Sequence, residues 1–92
     1  MLLGWDDGKR RANLAKHGID FTAAEEFDWD AALVRPDDRL DYGEDRFIAL
    51  GPIGTRLHVL VFTVRGRVVH VISLRKANAR ERRFYDGVPE AR

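Results

Sequence analysis

Two neighbouring runs of residues leave this chain few choices of fold. Residues 56–64 and 67–74 are rich in β-branched and aliphatic side chains at odd and even positions alike, and only Arg65-Gly66 separates them. A run that is apolar on both faces belongs in the middle of a sheet, and a two-residue break containing Gly is a tight hairpin. The chain must therefore build a sheet around this pair and cover both of its faces.

The flanking residues supply further strands and helices. Leu2-Leu3-Gly4-Trp5 can form a short strand, after which Asp6 or Asp7 caps a helix over Lys9 to His17 that Gly18 ends. Ile19 and Phe21 return to the core. Asp20 or Thr22 caps a second short helix to about Phe27, with Thr22 and Glu25 at capping-box spacing and Phe21, Ala24 and Phe27 along one stripe. Ala31 to Arg35 reads as an edge strand ended by Pro36-Asp37-Asp38. An acidic loop leads to a strand at Arg46 to Leu50, and Gly51-Pro52-Ile53-Gly54 turns the chain into the hairpin. Asn78 and Glu81 open a last helix to about Asp86, stopped by Gly87 and Pro89. The predicted order is β-α-α-β-β-β-β-α: an α+β fold with two N-terminal helices and one C-terminal helix on an antiparallel sheet.

At 92 residues, residues 1–92 are expected to form a single domain. The absence of Cys removes disulfides and thiolate metal sites and suits a reducing cytoplasm. The longest mostly apolar stretch, Leu57 to Val64, is far shorter than a membrane span, and Met1 to Asp7 shows no secretory signal.

Net charge is only +1, yet the charges are segregated. Residues 21–46 sum to −6 and residues 47–92 to +6, and thirteen of the sixteen basic residues are Arg. Arg is the planar fork that grips phosphate bidentately, so a nucleic-acid partner is one reading and a solvated basic surface the other.

The densest candidate site runs from Ser73 to Tyr85. Arg75, counted in phase with Val69, Val71 and Ser73, ends a strand; Arg65 stands in the hairpin; Glu81 and Tyr85 share a helix face at i, i+4. An arginine, a carboxylate and a phenol can together bind phosphate and move protons. Glu81 is equally the N3 residue of a cap on Asn78, and Tyr85 can equally pack on the sheet. His17 beside Lys16 is either a neutral base or a helix C-cap. His58 and His70 alternate with aliphatics and read as packed sheet histidines. No His or carboxylate cluster has metal-ligand spacing, so neither a metal nor a cofactor is expected.

Across Trp5-Asp6, Lys9, Asn13, Lys16-His17-Gly18-Ile19, Phe21, Ala24, Phe27, Glu44 with Arg46, Gly51, Arg65, Val71 through Ala77, Glu81 and Tyr85, the chain resembles the BrnT family of bacterial toxins. The order and spacing extend over most of its length. One departure is His70, which stands where the family usually has Arg. The resemblance implies a RelE/ParE-like fold and a ribonuclease that stops translation. It also implies a BrnA-type antitoxin with a ribbon-helix-helix domain, through which alone operator DNA is reached. A homodimer is compatible with it.

On that reading cleavage is metal-independent, the RNA 2′-hydroxyl attacking the adjacent phosphorus. Arg65 and Arg75 would stabilise the phosphorane, His17 or Glu81 would act as base, and Tyr85 or His17 as acid or orienter. Lys9, Lys16, Lys76 and Arg80 would hold RNA phosphates. The alternative is a non-catalytic RNA- or protein-binding module of the same fold.

Overall fold

The structure is a computed structural model that describes residues 1–89. Its strands are β1 (Leu2–Trp5), β2 (Leu33–Pro36), β3 (Phe47–Ile53), β4 (Arg56–Arg65) and β5 (Val68–Lys76), and its α-helices are α1 (Asp7–His17) and α2 (Ala79–Asp86). They form one five-stranded sheet in the order β1-β5-β4-β3-β2, an α+β architecture. The β4–β5 hairpin is central as expected, turning at Gly66 with φ of 60°. Four strands are antiparallel, but β1 runs parallel to β5, Leu2 opposite Val68 and Trp5 opposite Val71. The expected antiparallel sheet is therefore mixed at one edge. A parallel neighbour needs a long crossover, which the 62 residues between β1 and β5 supply.

The cap residues act where local rules put them. The Asp6 carboxylate accepts from the Lys9 amide at the start of α1, and Gly18, left-handed at φ 72°, ends it by donating to the Leu14 carbonyl. The second helix differs from expectation. Phe21–Glu26 is a 3-10 helix, capped by Asp20, and a second short 3-10 turn follows at Trp29–Ala31. Phe21, Ala24 and Phe27 recur every three residues, which is the period of a 3-10 helix and drifts around an α-helix. All three are buried.

Both faces of the sheet are used. Phe21, Leu60, Val71 and Leu74, fully buried, centre a core under the 3-10 segment. On the opposite face Leu57, Val59 and Ala77 pack with Tyr85 of α2 and with Ile48 and Leu50 of β3. Val71 and Leu74 cannot both face one core in a regular strand, because side chains alternate with a period of two. The register resolves this: Val61 pairs with Ser73 and Phe62 with Val71, leaving Ile72 as an unpaired bulge. The bulge overturns the expected phase of Arg75. It reverses the alternation, so Ser73 and Arg75 lie on the face of His70, opposite Val69 and Val71.

The bulge also lies where β1 stops. Beyond Trp5 the outer edge of β5 has no strand partner, and the side chain of Asn13 in α1 takes over. Its Nδ2 donates to the Leu74 carbonyl at 2.8 Å and the Ile19 carbonyl at 3.0 Å, and its Oδ1 accepts from the Leu74 amide at 3.1 Å. One buried amide thus replaces a strand at the point that orients Arg75.

Candidate active site

The face of the sheet that bears Arg75 is only partly covered, by α2 at one end. Arg75 donates through Nη1 and Nη2 to the two carboxylate oxygens of Glu81, at 2.9 and 2.8 Å. Glu81 also accepts from the Asn78 amide at 2.9 Å, while its own amide donates to Asn78 Oδ1, so the capping box and the arginine clamp use one carboxylate. The Arg75 guanidinium, with the Asn78 amide in support, holds the Glu81 carboxyl below its ordinary range against the effect of burial. Glu81 is a fixed anion that orients Arg75, an arrangement ill suited to taking a proton.

Tyr85 shares the helix face of Glu81, but its hydroxyl donates to the Ala31 carbonyl at 2.7 Å. This bond ties α2 to the segment entering β2. Burial pushes the phenol pKa up. Arg65 belongs to the other end of the sheet. It donates to Glu44 at 3.2 Å, and the same carboxylate lies 3.5 Å from Arg46. Val68, the register partner of Arg65, stands seven positions before Arg75 along β5, about 20 Å at the usual rise. The two arginines do not converge on one phosphate.

His70 is expected as a packed sheet residue, and the structure packs it only in part. It is half-buried, pairs with Thr63 across β4–β5, and lies diagonal to Arg65 on the partly covered face. On its other side is Gly4, where an added Cβ would lie 3.8 Å from His70 Nδ1 and 2.9 Å from Val68. Partial burial lowers the imidazole pKa, and Arg65 and Lys9 act in the same sense against Glu44 and Asp6. The result is a neutral imidazole beside an arginine. Counting strand phase back from Val71 places it on this face, whereas counting from Leu74 would send it into the core, since the bulge makes Leu74 and His70 face opposite ways despite their even separation. His58 fits its expectation: it is buried, with Nδ1–H donating to the Arg56 carbonyl at 2.8 Å.

The acidic loop before β3 is neutralised in part from within. Arg39 donates to both oxygens of buried Asp37, at 2.7 and 2.8 Å, and holds that carboxyl at about 2. Tyr42 also donates to Asp37, and Arg46 stacks 4.0 Å over the Tyr42 ring. The remaining sequence candidates are dispersed. Lys9 and Lys16 are exposed on α1, Lys76 ends β5, and Arg80 lies in the first turn of α2. His17 ends α1, and among the described residues no hydrogen bond joins it to Arg65, Arg75, Glu81 or Tyr85. Among the described residues no three His, Asp or Glu side chains are grouped to hold a metal.

Comparison with known proteins places this chain and its fold among the toxins of type II toxin–antitoxin systems. A family model described as the ribonuclease toxin BrnT of such systems matches residues 5–81. A crystal structure of the Brucella abortus ribonuclease toxin BrnT is 34% identical, with a TM-score of 0.68 over 85% of this chain and 99% of that one. No curated protein sequence matches. The chain belongs to the BrnT family.

Proposed function

We propose that residues 1–92 form one toxin domain that cleaves RNA without a metal ion in the cytoplasm. A BrnA-type ribbon-helix-helix antitoxin holds it in check and carries it to operator DNA. The observation that carries the reading is the neutral imidazole of His70 diagonal to Arg65 on a partly covered sheet face, with the Glu81-clamped Arg75 about 15 Å further along β5.

An RNA strand laid along β5 would place one phosphate at Arg65 and His70 and another at Arg75. His70 takes the proton of the 2′-hydroxyl. The 2′ oxygen forms a bond to phosphorus, the bond to the 5′ oxygen breaks, and the departing oxygen takes a proton from solvent. Arg65 stabilises the charge that develops on the phosphorane. Tyr85, whose hydroxyl is engaged by Ala31, and His17, at the end of α1, stand outside this step. Arg80 supplies a phosphate contact beyond Arg75, and Lys9 supplies one on the far side of His70; Lys76, on the opposite face of β5, stands outside this path.

Incubating the purified protein with RNA in the presence of a chelator tests this reading. Fragments ending in 2′,3′-cyclic phosphate and 5′-hydroxyl are expected, with DNA of the same sequence left whole for want of a 2′-hydroxyl. Intact but gel-shifted RNA would overturn cleavage in favour of a binding module.

A further inference from the structure

The same face of the sheet carries a feature that takes no part in the cleavage step, although its rim includes Arg80. Between β2, β3 and α2 lies a groove of about 530 Å3, floored by Leu33, Ile48, Leu50 and Val59 and walled by Phe84 and Val88. Phe84, on the groove's wall, is 63% exposed. An apolar patch of this kind rimmed by charge marks a contact surface. Its rim is cationic. Arg35 and Arg80 line it, and among the described residues neither is paired with a carboxylate. The one acid in the lining, Glu81, already gives both oxygens to Arg75.

We infer that this groove receives an acidic amphipathic helix of the antitoxin, its apolar side chains against Leu50, Val59 and Phe84 and its carboxylates on Arg35 and Arg80. The inference rests on the reading of the chain as an antitoxin-controlled toxin. Three observations select this occupant. A nucleobase needs hydrogen-bonding partners along its edge, and the floor of the groove is aliphatic. A strand added to β2 would use the open edge of the sheet, but Pro36 has no amide to donate and the strand is four residues long. A helix needs no backbone partner and inserts side chains at i, i+3 or i+4, and i+7, which suits a groove running beside α2. Carboxylates on that helix match the cationic rim. Seated there, the helix abuts Glu81 and closes the approach of RNA to Arg75.

The test uses the full chain with the antitoxin encoded beside it, and reads binding in the absence of RNA. Phe84→Glu and Arg35→Glu alter exposed groove side chains that have no part in the cleavage step. Each is expected to weaken antitoxin binding at least thirtyfold while free toxin cleaves RNA within twofold of wild type. If one variant fails to fold, the other carries the test. Hydrogen exchange of the wild-type complex should show protection at residues 33–36 and 79–86, and the association rate should fall as salt is added. Unchanged affinity with protection elsewhere overturns the inference. So does loss of RNA binding in Phe84→Glu, which would make the groove an RNA subsite. So does a wild-type dimer that Phe84→Glu dissolves, which would seat a second copy there. A protein that binds antitoxin through the groove but cuts no RNA overturns the catalytic reading and leaves this one standing.

Discussion

Replacing Asn13 should unseat the part of β5 that carries Arg75, and the structure fixes the size of the effect. In Asn13→Ala three buried backbone groups lose their partner at once: the Leu74 amide, the Leu74 carbonyl and the Ile19 carbonyl. An orphaned buried group costs about 1–3 kcal/mol, and partial entry of water favours the lower end. The total is about 3–5 kcal/mol, a large fraction of the ~5–15 kcal/mol by which a domain is stable. For a chain of this length the melting temperature should drop by roughly 15 °C or more.

Two further substitutions separate hydrogen bonding from packing. Asn13→Leu fills the space without restoring a partner and should lose nearly as much. Asn13→Asp keeps the acceptor for the Leu74 amide but turns a carboxylate toward two carbonyl oxygens. Its folded pKa is then raised above the unfolded value of about 3.9, so the variant is relatively best below that value and loses stability as pH rises through the folded pKa. Urea titrations of the three variants at pH 4 and pH 7 read both effects. A loss under about 1 kcal/mol in Asn13→Ala, or an Asn13→Asp variant indifferent to pH, would refute the claim that this amide stands in for a strand.

The remaining expectations concern proton transfer and the clamp. His70→Gln should lower cleavage by about 10²–10⁴-fold. Wild-type cleavage should fall with slope one as pH drops through the lowered imidazole pKa, and that acid limb should vanish in the variant; a retained limb assigns the proton elsewhere. Glu81→Gln keeps a capping acceptor but loses the charge and one bond to Arg75, so cleavage should fall about tenfold with an unchanged pH profile and near-normal stability. A lost basic or acidic limb in that variant would make Glu81 a proton carrier after all. Tyr85→Phe should lose about 1 kcal/mol of stability, the bond to Ala31, with cleavage of the folded protein unaltered; a hundredfold fall would return Tyr85 to the reaction.

What the sequence made legible followed the range of the interaction. Caps at Asp6, Gly18 and the Asn78–Glu81 pair depend on neighbours within four residues, and each was readable from spacing alone. The central hairpin was readable because a sheet interior admits only side chains of that kind. Arg75 on Glu81 was within reach for the same reason, six residues apart across a strand end and a cap. Asn13 on Leu74 and Tyr85 on Ala31 join residues 61 and 54 positions apart, and no local rule selects those partners. The bulge is the instructive intermediate. Its cause is local, two core residues three apart at Val71 and Leu74, yet a strict period of two carried through Ile72 hides it and sends Arg75 to the wrong face. One unpaired residue thus decides whether His70 and Arg75 share a surface. The same physics makes the site fragile in a specific way: any substitution that lets β5 pair regularly with β4, such as one that removes the need to bury both Val71 and Leu74, would separate the imidazole from the clamp while leaving the sheet itself intact.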